Sequence, residues 1–191
     1  MEAVLIHPLK KMTSDQFFQF CQKNKDRELE MDENGNIIIM EPTGLETSHY
    51  NSELNAELVN WNRQEKKGIV GDSNAGFTLP DGAVRSPDVS WVSKERLKNI
   101  TKEEFKKFAP VSPEFTLELK SENDKLADLQ TKSLKYISNG CLLCWLIDRD
   151  TQTVYIYRAN GSHEVINGFH KKLSGENVLP GFELDLSILL E

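Results

Sequence analysis

The chain has 191 residues, of which 38% are hydrophobic and 28% are charged, a composition typical of a protein that buries a sizeable core. Thirty acidic against 23 basic residues give a net charge of −7, which argues against a protein that coats nucleic acid non-specifically. No segment approaches the roughly 18 consecutive apolar residues of a membrane helix. The three cysteines fit a reducing compartment, so we expect a cytoplasmic protein with no membrane partner.

The first half of the chain predicts two helices around a hairpin, within a single domain over residues 1–191 that has a short N-terminal extension over residues 1–12. A helix is expected over residues 13–24, where a threonine and a serine can begin it and apolar residues recur at helical spacing. Residues 27–40 predict a hairpin, because "ENGN" separates two short apolar runs. A long amphipathic helix is predicted over residues 45–66.

The second half predicts several strands and one more long helix. In chain order it contains strand-like segments near 69–70, 76–79 and 87–92, a short helix over 101–108, a strand over 115–120, a helix over 125–139 with Asp124 as its N-cap, and a hairpin formed by 141–147 and 153–158. This alternation predicts an α/β or α+β fold in which a mixed sheet packs against a few long helices.

Charged residues interrupt the strand predicted over "FTLELK", residues 115–120. Side chains alternate faces along a strand, so Glu118 and Lys120 share the face opposite the three apolar residues. Asp88 begins the earlier strand segment "SPDVSWVS". If these two strands pair, Asp88, Glu118 and Lys120 converge at one edge of the sheet. The alternative is that Glu118 and Lys120 form a solvated strand face and that Asp88 is a turn residue.

Such a convergence would supply the parts of a phosphodiester hydrolase. Two carboxylates brought close repel each other unless a cation or a proton lies between them, and oxygen ligands of this kind suit Mg²⁺ or Mn²⁺. A metal held by Asp88 and Glu118 can lower the pKa of a bound water and polarise a phosphoryl oxygen. Lys120 can then orient the nucleophile or stabilise negative charge in the transition state.

The motif formed by Pro87–Asp88 and, about thirty residues later, Glu118–Leu119–Lys120 resembles the signature of the PD-(D/E)xK nuclease superfamily. The surrounding stretches "SPDVSWVS", "FTLELKSENDKLADLQTKSLKYISNG" and "VLPGFELDL" resemble the Uma2 family, also called DUF820, of restriction-endonuclease-like proteins. This resemblance implies a central mixed sheet flanked by helices. It also implies a metal site at Asp88 and Glu118, with the Leu119 carbonyl as a third ligand and Lys120 beside it.

Two further residues are candidates for the site. Glu46 extends the apolar stripe of the 45–66 helix. In related nucleases a glutamate from the first core helix often joins the metal site. The rival interpretation is that residues 43–46 form a capping box. Gln130 lies inside an apolar stripe of the 125–139 helix, where related nucleases place a catalytic side chain, although a buried amide satisfied by backbone is the alternative. Lys132 lies off that stripe, and we expect it to face solvent.

These observations leave three functional hypotheses. The first is a metal-dependent endonuclease that uses Mg²⁺ or Mn²⁺ to hydrolyse nucleic acid, with DNA as the expected substrate. The second is a non-catalytic member of the fold that serves as a binding or assembly module and could form a homodimer. The third is a hydrolase of another phosphoester. Because the chain is acidic, either the basic segments 94–107 and 120–135 bind DNA or the substrate is not long duplex DNA.

Overall fold

The structure is a computed structural model that describes residues 4–190. In chain order its elements are β1 (Val4–Ile6), α1 (Ser14–Lys23), β2 (Glu28–Met31), β3 (Ile37–Met40), α2 (Leu45–Glu65), β4 (Gly68–Asp72), β5 (Phe77–Thr78), β6 (Val84–Arg85), β7 (Val89–Ser93), α3 (Lys94–Leu97), α4 (Lys102–Phe105), β8 (Phe115–Lys120), α5 (Leu126–Ser138), β9 (Leu143–Asp148), β10 (Thr153–Arg158), β11 (His163–Asn167), β12 (Lys172–Ser174), β13 (Glu183–Asp185) and a 3-10 helix (Leu186–Leu189).

A six-stranded sheet forms the centre, with the strand order β11-β10-β9-β8-β7-β4. Strands β8 and β9 are parallel, and the remaining neighbours are antiparallel, so the sheet is mixed as predicted. The parallel pair requires a crossover connection, which α5 provides. The hypothetical pairing of the strand after Asp88 with the Glu118 strand is present, because Val89 lies opposite Leu117.

Helices cover both faces of this sheet. On one face α2 contributes Tyr50, Leu54 and Leu58 to a core that also contains the apolar side chains of β8 and Trp145 of β9. On the other face α5 contributes Tyr136 to a second core. Because strand side chains alternate, the face of β8 that carries Thr116 and Glu118 is directed toward α5. Glu118 is therefore buried under a helix rather than placed on a solvated strand face.

A smaller antiparallel sheet, β1-β3-β2-β6-β5, flanks the central one. The β2–β3 hairpin is confirmed, and its turn includes Gly35 in the left-handed region with a φ of 89°. Residues 86–88 lead from β6 of this sheet into β7 of the central sheet, so the two sheets meet next to Asp88. Of the predicted N-terminal extension, residues 1–3 lie outside the described residues, whereas Val4–Ile6 pairs with β3.

The helix ends agree with the sequence in one case and differ in two. Thr13 caps α1 in a capping box with Gln16. The capping box over residues 43–46, the rival interpretation for Glu46, is wrong, because α2 begins at Leu45 with Gly44 at the N-cap and no side chain caps it. Asp124 does not cap α5 as predicted; it accepts hydrogen bonds from the backbone and hydroxyl of Ser121 instead. No helix within residues 4–190 has the length and apolar character needed to cross a membrane.

Candidate active site

A cavity of about 980 Å³ opens where the small sheet meets the central sheet. Asp88, Glu118 and Lys120 all line it, and β2 and the α1–β2 connection form part of its wall. Side chains from both sheets and from α5 therefore form the site, although these elements are far apart in the sequence. The antiparallel register between β7 and β8 is what brings Asp88 to the end of β8 that carries Glu118 and Leu119.

Asp88 is held by hydrogen bonds to both carboxylate oxygens. The backbone N–H of Leu119 donates to Oδ2 at 2.8 Å, and Asn51 of α2 donates through Nδ2 to Oδ1 at 3.2 Å. Burial raises the pKa of Asp88, and Asp124 adds to that effect, while the two hydrogen bonds and Lys132 oppose it. The aspartate is therefore fixed in position yet costly to keep charged, as expected of a group that gains by binding a cation.

Glu118 is buried, with 3% of its surface exposed. The ammonium of Lys132 lies 3.0 Å from Oε1, and the Tyr136 hydroxyl donates to the same oxygen at 3.0 Å. Burial, together with the nearby charges of Asp88 and Glu30, raises the pKa of Glu118 to about 8, although Lys132 opposes this shift. Glu118 consequently takes up a proton close to neutral pH unless a further cation joins it.

Lys132 corrects the sequence-based expectation that it faces solvent. Only 11% of its side chain is exposed, and its ammonium lies 3.0 Å from Oε1 of Glu30 as well as 3.0 Å from Glu118. Burial alone would lower the pKa of Lys132, but the two carboxylates and Asp88 raise it overall, so the ammonium remains charged. A buried cation between two buried carboxylates is thus built into the site.

Glu30 connects this charge cluster to the chain segment that leads into Asp88. It accepts hydrogen bonds from Arg85 Nη1 at 2.8 Å and from the backbone N–H of Ser86 at 2.9 Å. Burial pushes the pKa of Glu30 up, yet Lys132 and Arg85 bring it below its usual range, so Glu30 is ionised. The sequence analysis missed Glu30, whose only signal was a charged residue at an inward position of the β2–β3 hairpin.

Lys120 lies on the expected face but pairs with different carboxylates. Its ammonium is 2.8 Å from Asp150 Oδ2 and 3.8 Å from Asp148 Oδ1, both at the end of β9 and the turn after it. The parallel register places Lys120 opposite Asp148. Among the described residues, the cation that contacts Glu118 is therefore Lys132 and not Lys120.

The structure brings neither Glu46 nor Gln130 into contact with these carboxylates. Glu46 lines the cavity, but 74% of its side chain is exposed and it pairs with Arg149 at 2.9 Å. Gln130 forms a hydrogen bond with Tyr157 and does not line the cavity within the described part of the chain. Lys132, two residues further along α5, projects into the cluster where Gln130 was expected.

The residues present fit a divalent ion of the Mg²⁺ type. No group of three or more acidic, histidine or cysteine side chains suited to a metal occurs within residues 4–190. Mg²⁺ does not need such a group, because it is commonly held by one or two carboxylates with water completing the octahedron. Beside Asp88, the Asn51 Oδ1 oxygen is buried and lacks a hydrogen-bond partner among the described residues, which leaves one further oxygen donor in place.

Comparisons with known proteins agree with this architecture. A model of the Uma2 family, described as "Putative restriction endonuclease", matches residues 14–187. No curated protein matches the chain. A crystal structure described as a "putative nuclease belonging to DUF820" from Anabaena variabilis superposes with a TM-score of 0.73 at 20% identity, covering 93% of this chain and 97% of that one, which shows the fold. A cryo-EM DrdV–DNA complex gives a TM-score of only 0.40 at 14% identity, over 62% of this chain and 10% of that one, and supports no argument.

Proposed function

The chain belongs to the Uma2 family, and from that premise we propose that it is a metal-dependent nuclease that hydrolyses phosphodiester bonds of nucleic acid, with DNA as the expected substrate. The observation that carries the proposal is the pair of carboxylates at one cavity, Asp88 directly before β7 and Glu118 in the adjacent β8, with the buried Lys132 beside them. The family match over residues 14–187 supports placing the activity in a single domain. The three cysteines support a cytoplasmic location.

In this proposal Asp88 and Glu118 hold Mg²⁺ or Mn²⁺, with the Leu119 carbonyl as a third ligand. The bound ion would polarise a phosphoryl oxygen and lower the pKa of a water ligand. Asn51 and the Leu119 N–H keep the Asp88 carboxylate in one orientation. Such fixed orientation matters because a small misplacement of a reacting group costs a large factor in rate.

The two lysines have separate roles. Lys132 and Tyr136 orient Glu118 from the buried side and favour its ionised form, so they act as positioning residues. Lys120 lies at the cavity with 12% of its side chain exposed, and its ammonium can turn from Asp150 to a phosphate oxygen of the substrate. Losing one electrostatic donor of this kind typically lowers the rate by about 10²–10³, so we expect that loss for Lys120→Ala.

Cleavage of plasmid, single-stranded DNA and RNA with Mg²⁺ or Mn²⁺ tests the proposal. Asp88→Asn and Glu118→Gln should each abolish both metal binding, measured by calorimetry, and cleavage. Glu122→Gln is the matched control, because this exposed acid lines the same cavity and should retain both properties. Cleavage by Glu118→Gln at the wild-type rate would contradict the proposal, as would an absence of metal binding by the wild-type protein.

One observation favours the second hypothesis, a non-catalytic binding or assembly module. The Glu118 carboxylate already has a cation beside it in Lys132, so an ion is not required to compensate its charge. Calorimetry separates the two hypotheses, since the module would bind neither Mg²⁺ nor Mn²⁺ and would keep its fold after Asp88→Asn. A homodimer, which the module hypothesis includes, is tested by the molar mass in solution.

A further inference from the structure

The charge on the cavity wall is unfavourable for a polyanion. Nine acidic and five basic side chains line the cavity. Three of the five cations are already engaged by carboxylates: Lys132 by Glu118, Lys120 by Asp150 and Arg149 by Glu46. An incoming phosphodiester strand would therefore meet an excess of negative charge unless it contacts the two remaining cations or ions bound at the site.

The two remaining cations are Lys25 and Arg27. Both side chains are exposed, both line the cavity, and neither forms an ion pair with any residue between 4 and 190. They lie in the turn that joins α1 to β2. The Arg27 N–H donates to the Asn24 carbonyl at 3.1 Å, and the Asn24 amide donates to the Phe20 carbonyl at 2.8 Å, so the backbone of the turn is anchored.

This turn is also coupled to the candidate active site. It leads directly into β2, which carries Glu30, and Glu30 contacts the Lys132 ammonium at 3.0 Å. Lys25 and Arg27 thus occupy the wall formed by the small sheet, while Glu118 and Lys120 belong to the wall formed by the central sheet. A nucleic-acid strand lying in the cavity would therefore contact both walls.

We propose that Lys25 and Arg27 form a phosphate-binding subsite for the sugar–phosphate backbone of the substrate strand, an inference that rests on the proposed nuclease function. Arg27 can contact a phosphate through two N–H groups, and Lys25 supplies a point charge next to it. Backbone contacts of this kind set affinity and position without reading sequence.

The basic segment 94–107, one of two that the sequence suggested as a DNA-binding face, is a weaker candidate. Lys98 pairs with Glu95, Lys106 with Glu103 and Lys107 with Asp15, so much of its charge is neutralised. None of its lysines lines the cavity within the described residues. Lys94 and Lys102 in this segment are exposed and form no ion pair in the described part of the chain, which makes them a matched control.

The test compares Lys25→Ala/Arg27→Ala with Lys94→Ala/Lys102→Ala, two double variants with the same loss of charge. Binding to labelled single-stranded and duplex oligonucleotides is measured by fluorescence anisotropy over a range of salt concentrations, with Ca²⁺ replacing Mg²⁺ and intact label verified on a gel. Each lost phosphate contact lowers the slope of log K against log salt by about 0.7 on a single strand and about 0.9 on a duplex. Two contacts correspond to about 1.4 on a single strand, or about a 25-fold loss of affinity at about 0.1 M salt.

We expect Lys25→Ala/Arg27→Ala to show this loss and the control double variant to bind with the wild-type slope, both with unchanged melting temperatures. If the wild-type protein binds and both double variants show the same slope of log K against log salt, the proposed subsite is overturned but the proposed nuclease function is not. A wild-type protein that binds neither oligonucleotide would overturn the subsite and the nucleic-acid substrate together. A third outcome is that the wild-type protein binds nucleic acid but never cleaves it, while Lys25→Ala/Arg27→Ala loses that binding. This outcome would support the subsite and contradict the proposed hydrolysis.

Discussion

Replacing Lys132 with Met tests whether the buried ammonium stabilises the charge cluster. The Lys132 ammonium lies 3.0 Å from Glu118 and 3.0 Å from Glu30, and 11% of the side chain is exposed. Met is an unbranched apolar side chain of similar length, so the buried volume at this position is largely kept. The substitution therefore removes one positive charge and leaves two buried carboxylates without it.

The expected cost is large because both carboxylates stay buried. Removing one partner of a buried ion pair typically costs about 3–5 kcal/mol of folding free energy, most of it from the charge left behind. Lys135→Met is the matched control one turn further along α5, where the partly exposed Lys135 lies 2.8 Å from Glu33 and 3.4 Å from Asp81, and both carboxylates are themselves solvent-accessible. Solvent-accessible pairs typically contribute about 0–1 kcal/mol.

Urea unfolding near pH 7 measures both costs. We expect Lys132→Met to lower the free energy of unfolding by about 3–5 kcal/mol and Lys135→Met by less than about 1 kcal/mol. Adding Glu30→Gln to Lys132→Met should recover part of the loss, because Glu30 is ionised near pH 7, the amide is neutral, and the two positions are in contact. Equal costs for the two lysine substitutions would refute the reasoning that the cluster depends on a buried cation.

Three further predictions concern the site carboxylates. The pKa of Glu118 is raised from 4.5 to about 8, because the folded protein holds its proton more tightly than the unfolded chain does. The contribution of Glu118 to stability is therefore fully present below about pH 4.5 and is lost as the pH rises through 8. Urea unfolding should show the stability of the wild type falling relative to that of Glu118→Gln across this pH range. At a fixed concentration that is about 100 times its dissociation constant at pH 7, Mg²⁺ or Mn²⁺ should stabilise the protein by about 2.7 kcal/mol. The same concentration should stabilise it more above pH 8, because the ion competes with the Glu118 proton, and a thermal shift that survives Asp88→Asn would contradict this. Asn51→Ala removes the 3.2 Å hydrogen bond to Asp88, so it should lower the free energy of unfolding by about 0.5–1.5 kcal/mol, measured by thermal unfolding. It should also weaken ion binding, and an unchanged ion affinity would contradict a positioning role for Asn51.

Several features of the fold could be predicted because they depend on local pattern. The period-two alternation in "FTLELK" placed Glu118 opposite the apolar face of β8, and the pairing of β7 with β8 was a correct hypothesis. The hairpin of β2 and β3 followed from a turn sequence between two apolar runs. The Thr13 capping box likewise involves residues three positions apart. Apart from the β7–β8 pairing, which joins residues far apart in the chain, the interacting groups are neighbours in the chain or follow one strand period.

Helix α5 shows where local pattern is insufficient. The stripe through Leu126, Gln130 and Leu134 looked apolar, yet 55% of Leu134 is exposed, and the buried side chains of the helix are Ser133 and Tyr136. Leu129, Lys132 and Tyr136 follow the same helical spacing, which was the signal that could have placed Lys132 inward. Two faces of the helix had similar spacing, and only the packing of α5 on β8 and β9 decided between them.

The amino-acid sequence by itself predicted every strand of the central sheet except β11, together with the two faces of β8, because side-chain direction along a strand repeats every two residues whatever surrounds it. The tertiary structure decided which cation joins each carboxylate: Lys132 meets Glu118 and Glu30 across three elements, and Lys120 meets Asp150. These charges are distant in the chain and share no period. Their interaction depends on separation and burial, since the energy between charges grows as both distance and local dielectric fall, and both quantities are set only when the sheets and α5 pack together.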